Sequence, residues 1–364
     1  MEKDQIMVVY GDQPERMTEM LLEAADLAGR IPKGASIGIK PNLVVAKPAE
    51  TGATTHPQIV ESVVRYLQKH GFSDLLILEG SWVGDSTKRA FRACGYEEVS
   101  QKTGVPLLDT KGEPGVVKSY GGLSIELCKK ALELDFLINI PVLKGHCQTA
   151  VTGALKNLKG CITDSEKRHF HALGLHKPIA YLNKVLASSF ILVDGLCGDL
   201  DFEEGGNPVR MNRMFCGLDP VLTDSYIASC MGYSPYDIDY IRIAEEIGVG
   251  NADLSRAKIV ELNRDTSTAC PSSSRKVQRL AGCISAKDAC SACYANLIQA
   301  MARLEEEGEA EKFRKHPVKI GQGYRGEAGE AGEAGVGSCT ACMAHSLPGC
   351  PPQAREMLEF LKNL

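Results

Sequence analysis

The chain has 364 residues, of which 44% are hydrophobic and 24% charged, and its formal net charge is −5. This composition is typical of a globular protein with one large or two modest domains. An acidic chain without a long basic run is not expected to bind nucleic acid, and no stretch reaches the roughly 18 apolar residues that span a bilayer. The first residues, MEKDQ, lack a signal-peptide pattern, so we expect a cytoplasmic protein without membrane contact.

Strand and helix patterns alternate as far as residue 262. The predicted strands are Ile6–Tyr10, Ser36–Lys40, Leu75–Leu78, Asp135–Ile140, Phe190–Val193 and Ala257–Leu262. The predicted helices are Pro14–Ala28, Gln58–His70, Thr87–Cys94, Thr149–Leu158, Asp219–Met231 and Asp237–Ile247. This order predicts an α/β domain with a doubly wound, mostly parallel sheet and helices on both faces. The polar, glycine-bearing segment Asp199–Met211 is predicted to be a loop that covers the domain.

The segment Pro141–Gly160 follows a predicted buried strand and carries basic and amide side chains in a chain that is acidic overall. We expect Lys144 and His146 to lie in its loop. In open α/β sheets, ligands bind beyond the carboxyl ends of the strands, which is where this segment would lie. We therefore predict a site for a small anionic molecule, formed by Lys40, Asn42, Lys144, His146, Lys156, Asn157 and Lys159.

Within this site we assign His146, Lys144 and Lys156 as catalytic residues, the lysines binding the anion and His146 moving a proton. Lys40, Asn42, Asn157, Lys159 and His171 are assigned to substrate binding, and Gly153 and Gly160 would permit close approach. The alternative is that the lysines are solvated surface groups. His146, His169, His171 and His176 could form a metal or proton-transfer set, against the alternative of ordinary histidines. Asp194 could orient a lysine or histidine, while Asp219 and Asp224 could simply cap a helix.

The chain has fourteen cysteines, half of them after residue 268, where we place a domain boundary. Cys290 and Cys293 form one C-x-x-C pair, Cys339 and Cys342 form a second, and Cys350 follows. Soft thiolate donors at this spacing fit an iron–sulphur cluster or zinc, with unligated cysteines as a third alternative. We expect residues 269–364 to form a small helical cysteine-rich module, with helices over Cys290–Glu307 and Gln353–Leu361 and a solvated flexible segment at Gly326–Gly335.

Several segments together resemble the domain-of-unknown-function 362 family, whose members are described as uncharacterised iron–sulphur proteins. The matching segments are Ile37–Val44, Thr54–Pro57, Asn139–His146, Thr152–Gly160, Val193–Gly195 and Asp219–Val221. The resemblance implies one α/β domain, residues 1–268, with an iron–sulphur partner region. It also implies a single [4Fe-4S] cluster held by Cys290, Cys293, Cys339 and Cys350, with Cys342 able to replace Cys339. The dense C-x-x-C-x-x-C-x-x-x-C run of some family members is absent from this sequence.

These features favour a redox enzyme in which the cluster lies near the anion site and exchanges electrons with a small anionic substrate. A redox partner protein would then be expected. One alternative is a non-enzymatic electron-transfer or metallocentre-assembly protein, and another is a ligand-binding domain stapled by zinc. The sequence leaves the oligomeric state open, with a homodimer as one option.

Overall fold

The computed structural model describes residues 1–263 and 275–364, and the domain boundary predicted near residue 268 lies outside them. The described residues form two compact units. The first comprises Met1–Lys167 and residues 176–263, and the second comprises Arg168–Leu175 and residues 275–364. In these described ranges, no helix is both long and apolar enough to cross a lipid bilayer.

The first unit contains these strands: β1 (Gln5–Tyr10), β2 (Ile37–Lys40), β3 (Leu75–Glu79), β4 (Leu107–Asp109), β5 (Gly115–Tyr120), β6 (Leu123–Cys128), β7 (Phe136–Asn139), β8 (Lys144–His146), β9 (Ala150–Thr152), β10 (Phe190–Asp199), β11 (Pro208–Gly217) and β12 (Lys258–Glu261). Its helices are α1 (Pro14–Ala24), α2 (Leu27–Arg30), α3 (Pro57–Lys69), α4 (Thr87–Ala93), α5 (Tyr96–Thr103), α6 (Lys129–Leu132), α7 (Ala154–Asn157), α9 (His176–Val185), α10 (Pro220–Cys230) and α11 (Asp239–Glu246). Helix α8 (Asp164–Ala172) spans the division between the two units.

Within the described residues, an eight-stranded sheet forms the centre of the first unit, in the order β12-β1-β11-β10-β7-β2-β3-β4. Only β11 runs antiparallel to its neighbours, β1 and β10. The other pairs are parallel. The prediction of a mostly parallel sheet is therefore confirmed, and β12 lies at its edge as expected. Up to their last residues, the short inner strands β3 and β7 are apolar, because both faces of a parallel sheet are covered.

Alternating side chains of β11 show that helices pack on both faces of the sheet. Met214 and Cys216 belong to a buried cluster that also contains Leu21 of α1 and Val63 of α3. Phe215 points the other way, and its ring meets the ring of Tyr226 in α10 edge-on with centroids 5.0 Å apart. The period of two along a strand separates these two cores.

The region after β7 differs from the prediction. Residues 149–158 were expected to form one helix, but β8 and β9 make a short antiparallel hairpin, and only Ala154–Asn157 is α-helical. Ala150 has a positive φ of 60°, which turns the chain inside the predicted helix. Lys144 and His146 consequently lie on a buried strand and not in an open loop.

Three other strand regions of the first unit escaped the sequence analysis. Strand β4 and the hairpin of β5 and β6 were not predicted. Strand β11 begins at Pro208, inside the predicted loop Asp199–Met211, so the connection between β10 and β11 is only residues 200–207. We call this connection the Glu203 loop. It is compact because the Asp199 carboxylate accepts hydrogen bonds from the backbone N–H groups of Asp201, Phe202 and Asn207.

The second unit is not purely helical, contrary to the prediction. Its strands are β13 (Ile284–Ala286), β14 (Val318–Ile320), β15 (Ala334–Val336) and β16 (His345–Leu347), which pair in parallel in this order. Its helices are α12 (Lys276–Ala281), α13 (Ser291–Glu306), α14 (Lys312–Lys315) and α15 (Ala354–Lys362). The long helix after Cys290 and the last helix agree with the prediction. The segment Gly326–Gly335 is mostly exposed, but its last residues enter β15.

The start of α3 depends on a contact with the central sheet. His56 is the residue before Pro57, and its backbone N–H and ring Nδ1 both lie within hydrogen-bonding distance of the Asp194 carboxylate of β10, at 2.9 and 2.8 Å. Burial disfavours protonation of His56, but the Asp194 charge and hydrogen bond outweigh it, so the pKa of His56 is raised above 6.5. The protonated ring therefore stabilises the junction between sheet and helix.

We expect the stabilisation from His56 to be present below pH 6.5 and to be lost as the pH rises through its raised folded-state pKa, because the unfolded chain then binds fewer protons than the folded one. The His56→Gln variant should be less stable than wild type by about 1–2 kcal/mol at pH 6, and the difference should shrink at pH 9. Urea denaturation across this pH range measures the difference. An NMR titration midpoint of His56 at or below 6.5 would contradict the assignment.

Candidate functional site

Polar side chains gather where three neighbouring parallel strands end. Lys40 closes β2 and is in register with Asn139, the last residue of β7, while Glu79 closes β3. Because parallel neighbours end at the same edge, these three side chains meet beyond the carboxyl ends of the strands. All three are at most 3% exposed. The sheet topology thus creates a buried polar cluster at the predicted edge.

The first ion pair of the cluster joins Lys40 to Glu79. Lys40 Nζ donates to Glu79 Oε2 at 2.7 Å and to the carbonyl of Pro41 at 2.6 Å. The same carboxylate accepts from the backbone N–H groups of Leu43 and Gly80. The backbone at Gly160 approaches this pair so closely that a side chain there would clash with both residues. Glycine at this position permits the close approach that the sequence predicted.

A chain of amide side chains connects the strand ends. Asn157 donates to Asn139 Oδ1 at 2.7 Å and accepts from Asn42 Nδ2 at 2.9 Å. Asn42 Oδ1 in turn accepts from Lys144 Nζ at 2.9 Å. This buried network links β2, β7, β8 and α7, and it fixes the orientation of each amide because every group has a defined partner.

Lys144 is fully buried, and its ammonium group faces three acceptors. Besides Asn42 it donates to the carbonyl oxygens of Ala53 and Glu203. Burial lowers the pKa of Lys144 to about 7, although nearby carboxylates oppose this shift. Three acceptors match the three N–H bonds of an ammonium group, so the geometry suits the protonated form. Lys144 is thus a buried cation whose hydrogen-bonding partners are uncharged oxygens.

The second ion pair brings the Glu203 loop into the cluster. Lys156 Nζ donates to Glu203 Oε2 at 2.5 Å, and His146 Nε2 lies 3.1 Å from Glu203 Oε1. Burial alone would raise the pKa of Glu203, but His146 and Lys156 lower it well below its usual range. Glu203 is therefore an ionised carboxylate held between a lysine and an imidazole.

His146 is present as a neutral imidazole with a defined tautomer. Its Nδ1 accepts from the backbone N–H groups of Gln148 and Thr149, at 3.0 and 3.1 Å, so the proton is on Nε2. Burial lowers the pKa of His146 to about 4 despite the neighbouring Glu203. The Nε2–H and the Glu203 carboxylate are close but poorly aligned, and Nε2 makes no hydrogen bond to the described residues. The Nε2–H group of His146 is thus available to donate a hydrogen bond.

Most of the predicted site residues lie in this cluster. The structure brings together Lys40, Asn42, Lys144, His146, Lys156 and Asn157. Lys159 is half-buried and near enough to contribute to the lowered pKa of His146. His169 and His171, by contrast, belong to the second unit, while His176 of the first unit stacks on Tyr240.

The predicted aspartates take separate positions. Asp194 pairs with His56, and Asp219 caps α10 by accepting from the N–H groups of Val221 and Leu222. Asp224 is fully buried and accepts from the first N–H groups of α7, and burial raises its pKa to about 7. Gly153 lies against Asp224, so a side chain at residue 153 would displace this carboxylate. Asp224 therefore positions the segment that carries Lys156.

Sequence reasoning missed the acidic half of the cluster. Glu79 had a usable signal, since it is a charged residue at the end of an apolar strand. Glu203 and Glu204 lie in a polar loop where no periodicity distinguishes them from solvated residues. Glu79 and Glu203 already balance the charges of Lys40 and Lys156. Two lysines that were predicted to bind an anion are therefore already paired within the protein.

In the second unit, four of the predicted cysteine ligands are close to one another. Cys290 precedes α13 and Cys293 lies in its first turn. Burial, together with the neighbouring Cys290, Cys350 and Cys339, raises the pKa of Cys293 to about 12. Burial, Cys339 and Cys350 likewise raise the pKa of Cys290. These four thiols therefore share one electrostatic environment.

Two donors face this group of cysteines. Gln322 Nε2 lies 3.6 Å from Cys290 Sγ. The guanidinium of Arg325 hydrogen-bonds to Cys339, which raises the pKa of Arg325. Cys342 is exposed, and Cys283 is buried with its thiol donating to the carbonyl of Ala310. Among residues 1–263 and 275–364, no three His, Cys, Asp or Glu side chains are arranged to hold a single metal ion.

A surface cleft of about 390 Å³ lies at the opposite edge of the sheet from the buried cluster. It is lined by Lys3, Arg30, Phe136 and Asn183 among others. Phe136 is the first residue of β7, whereas Asn139 of the cluster is the last. No residue assigned to the predicted site lines this cleft, but Ser188, which does, accepts a hydrogen bond from Asn139 of the cluster.

Known proteins that are similar to this chain match it over part of their length. A thylakoid-associated protein of Synechocystis, sll1697, is 25% identical over 241 residues, which cover 63% of this chain and 73% of that protein. Among solved structures, the lactate racemase apoprotein of Thermoanaerobacterium thermosaccharolyticum matches with a TM-score of 0.39 and 15% identity. The match covers 68% of this chain and 59% of the racemase chain, so less than two thirds of that structure is represented.

The family profile described as Domain of unknown function (DUF362) matches residues 37–229. This range begins with β2 and ends in α10, and it contains the buried lysines, His146 and the Glu203 loop. The chain belongs to the DUF362 family.

Proposed function

We propose that the protein binds one [4Fe-4S] cluster through Cys290, Cys293, Cys339 and Cys350, and that it is a redox enzyme acting on a small anionic substrate. The observation that carries the cluster proposal is the mutual proximity of these four thiols, which come from three separate segments of the second unit. Cys342, the alternative ligand, is exposed, as Cys350 is, but unlike Cys350 it is not among the groups that shift the pKa of Cys290 or Cys293.

The surroundings of the four cysteines fit a thiolate-bound cluster. The donor set is all sulphur, which suits iron–sulphur clusters. Cys290 is the residue before α13, and the positive end of a 16-residue helix stabilises thiolates. Arg325 and Gln322 supply a positive charge and an N–H donor beside the sulphurs. When bound, the cluster would supply one-electron transfer.

The anion part of the proposal rests on the buried lysines of the first unit. Lys144 is a buried cation whose hydrogen-bond acceptors are uncharged oxygens, and His146 has a spare Nε2–H. A single negative group could be bound by such donors in a medium of low dielectric constant. In this arrangement His146 donates a hydrogen bond as a neutral imidazole, because its pKa of about 4 keeps it unprotonated near neutral pH.

One observation favours a second candidate, a non-enzymatic electron-transfer or metallocentre-assembly protein. Lys40 and Lys156 already bind internal carboxylates, so the described structure has no free anion site at these residues. We call the three buried lysines, Lys40, Lys144 and Lys156, the lysine cluster. Under this alternative the lysine cluster and its partners would have a structural role only. The two candidates differ in whether the first unit binds and turns over a small molecule.

We expect protein purified without air to be brown and to contain about four iron and four sulphide per chain. The single variants Cys290→Ser, Cys293→Ser, Cys339→Ser and Cys350→Ser should each lose most of this content, while Cys342→Ser and Cys283→Ser serve as matched controls and should retain it. Iron, sulphide and zinc analysis with visible absorption spectra measures the outcome. Zinc in place of iron, or loss of the metal in Cys342→Ser only, would refute the proposed cluster or its ligand set.

We expect Lys156→Met to abolish turnover without changing reduction of the cluster, because Lys156 lies in the first unit and the cysteines in the second. Turnover is followed as reoxidation of dithionite-reduced protein by a panel of small organic acids, and cluster reduction by absorbance. Lys184→Met, which removes an exposed lysine of the same unit, is the control. Undiminished turnover of an identified substrate by Lys156→Met would show that the site is wrongly assigned.

A further inference from the structure

The Glu203 loop places a carboxylate in the centre of the predicted anion site. Glu203 is 9% exposed, and each of its two carboxylate oxygens faces a different donor. Lys156 contacts Oε2 and His146 Nε2 lies near Oε1. These donors come from β8 and α7, beyond the carboxyl ends of the parallel strands, where open α/β sheets bind ligands. A side chain of the protein itself therefore lies where a ligand is expected.

The donors around Glu203 are suited to a carboxylate. An ammonium group and a neutral imidazole N–H can each bind one oxygen of a planar carboxylate. The tautomer of His146 is set for this role by the two backbone N–H groups that donate to Nδ1. Further donors to tetrahedral oxyanions, such as a set of backbone N–H groups, are not among the contacts of Glu203 in the described residues. The arrangement recognises a carboxylate group.

With the Glu203 loop in place, two buried polar atoms near the contact between Glu203 and His146 have no hydrogen-bond partner in the described parts of the chain. His146 Nε2 is buried and has no hydrogen-bond partner among the described residues, and the same is true of Glu204 Oε2. Burial and the neighbouring Glu203 raise the pKa of Glu204 to about 7. Buried polar atoms without partners each cost free energy. A ligand with a single carboxylate would avoid the burial of a second carboxyl group, that of Glu204. Such a ligand would therefore fit the donors better than the Glu203 loop does.

The Glu203 loop has hydrogen bonds of its own that would keep it together if it were displaced. Asp199 holds the backbone of residues 201, 202 and 207 independently of the lysine cluster. Two consecutive glycines, Gly205 and Gly206, have φ values of 68° and 133°, and such glycines commonly absorb a backbone rearrangement. The loop is tied to its surroundings by Lys47, Lys144 and the Gly206–Thr51 backbone bond.

We propose that the site binds a small carboxylate ligand, which takes the place of the Glu203 carboxylate between Lys156 and His146 and displaces the Glu203 loop. This inference deepens the proposed function, on which it rests for the role of the lysine cluster, by naming the substrate class. The internal carboxylate balances the buried Lys156 when no ligand is bound. Binding is then a competition between two carboxylates for the same donors.

The test measures carboxylate binding to the full-length protein by calorimetry and thermal shift, with acetate, propanoate and benzoate as probes and phosphate and chloride as control anions. The Glu203→Ala variant removes the internal competitor and leaves Lys156 without its carboxylate partner. We expect it to bind at least one of the carboxylates tenfold or more tightly than wild type does, with a rise in its melting temperature. Phosphate and chloride should not reproduce this effect.

The double variant Glu203→Ala/Lys156→Met removes both charges together, so the buried charge balance is kept, and it should lose the gained affinity. Glu203→Gln, which preserves the shape of the side chain, should show the same gain if Glu203→Ala does not fold. In wild-type protein, saturating carboxylate should increase hydrogen exchange at the Gly206 amide, which is bonded to Thr51 while the loop is in place.

Equal carboxylate affinity in wild type and in both Glu203 variants would overturn the proposal. It would also be overturned if the double variant bound carboxylates as tightly as Glu203→Ala does. Stronger binding of phosphate than of any carboxylate would overturn the ligand class. None of these measurements involves electron transfer or the iron content. Failure of the cluster proposal and failure of this one are therefore distinguishable.

Discussion

The arrangement of the first unit depends on the burial of three lysine ammonium groups beyond the ends of its parallel strands. A charged group in a protein interior is strongly disfavoured unless it is paired or fully hydrogen-bonded. Each lysine meets this requirement differently. Lys40 binds Glu79, Lys156 binds Glu203, and Lys144 is surrounded by three neutral acceptors.

These requirements explain several local features around the cluster. The hairpin of β8 and β9 is needed to bring Lys144 and His146 inward, and the Glu203 loop is needed to supply the second carboxylate. Gly160 must lack a side chain because its backbone touches the first ion pair. The conformation of the surrounding chain and the polar cluster are thus closely matched.

The central sheet could be predicted because each inner strand is a short apolar run followed by turn residues. The same reasoning found that Lys40, Lys144 and Asn157 lie at one edge, since parallel strands share their carboxyl ends. It failed for β8 and β9. The polar residues between Thr149 and Lys156 have helical spacing, and strands of three residues are too short to show a period of their own. Strand β11 was missed because its exposed first half resembles the loop before it.

The acidic partners could not be predicted for a different reason. Which of several acidic side chains in a polar loop turns inward is decided by contacts with residues about fifty positions away, as between Glu203 and Lys156. In the second unit, by contrast, the C-x-x-C spacing is visible in the sequence and marks Cys290 and Cys293 as candidate ligands. Nothing in the sequence pattern separates Cys339 from Cys342, because a short helical turn, Ser338–Thr340, and strands of three residues leave no clear periodicity.

A purely structural role is a poor explanation for the lysine cluster. Replacing a buried ion pair with apolar residues of similar volume is often neutral or stabilising, by about 1–4 kcal/mol. A fold that needed only stability would therefore gain little from two buried pairs and an additional buried lysine. Glu204 adds a further cost, because its buried oxygen has no hydrogen-bond partner in the described residues. These costs are understandable if the donors are kept ready for a ligand, since donors that are already positioned in a medium of low dielectric constant bind charge strongly.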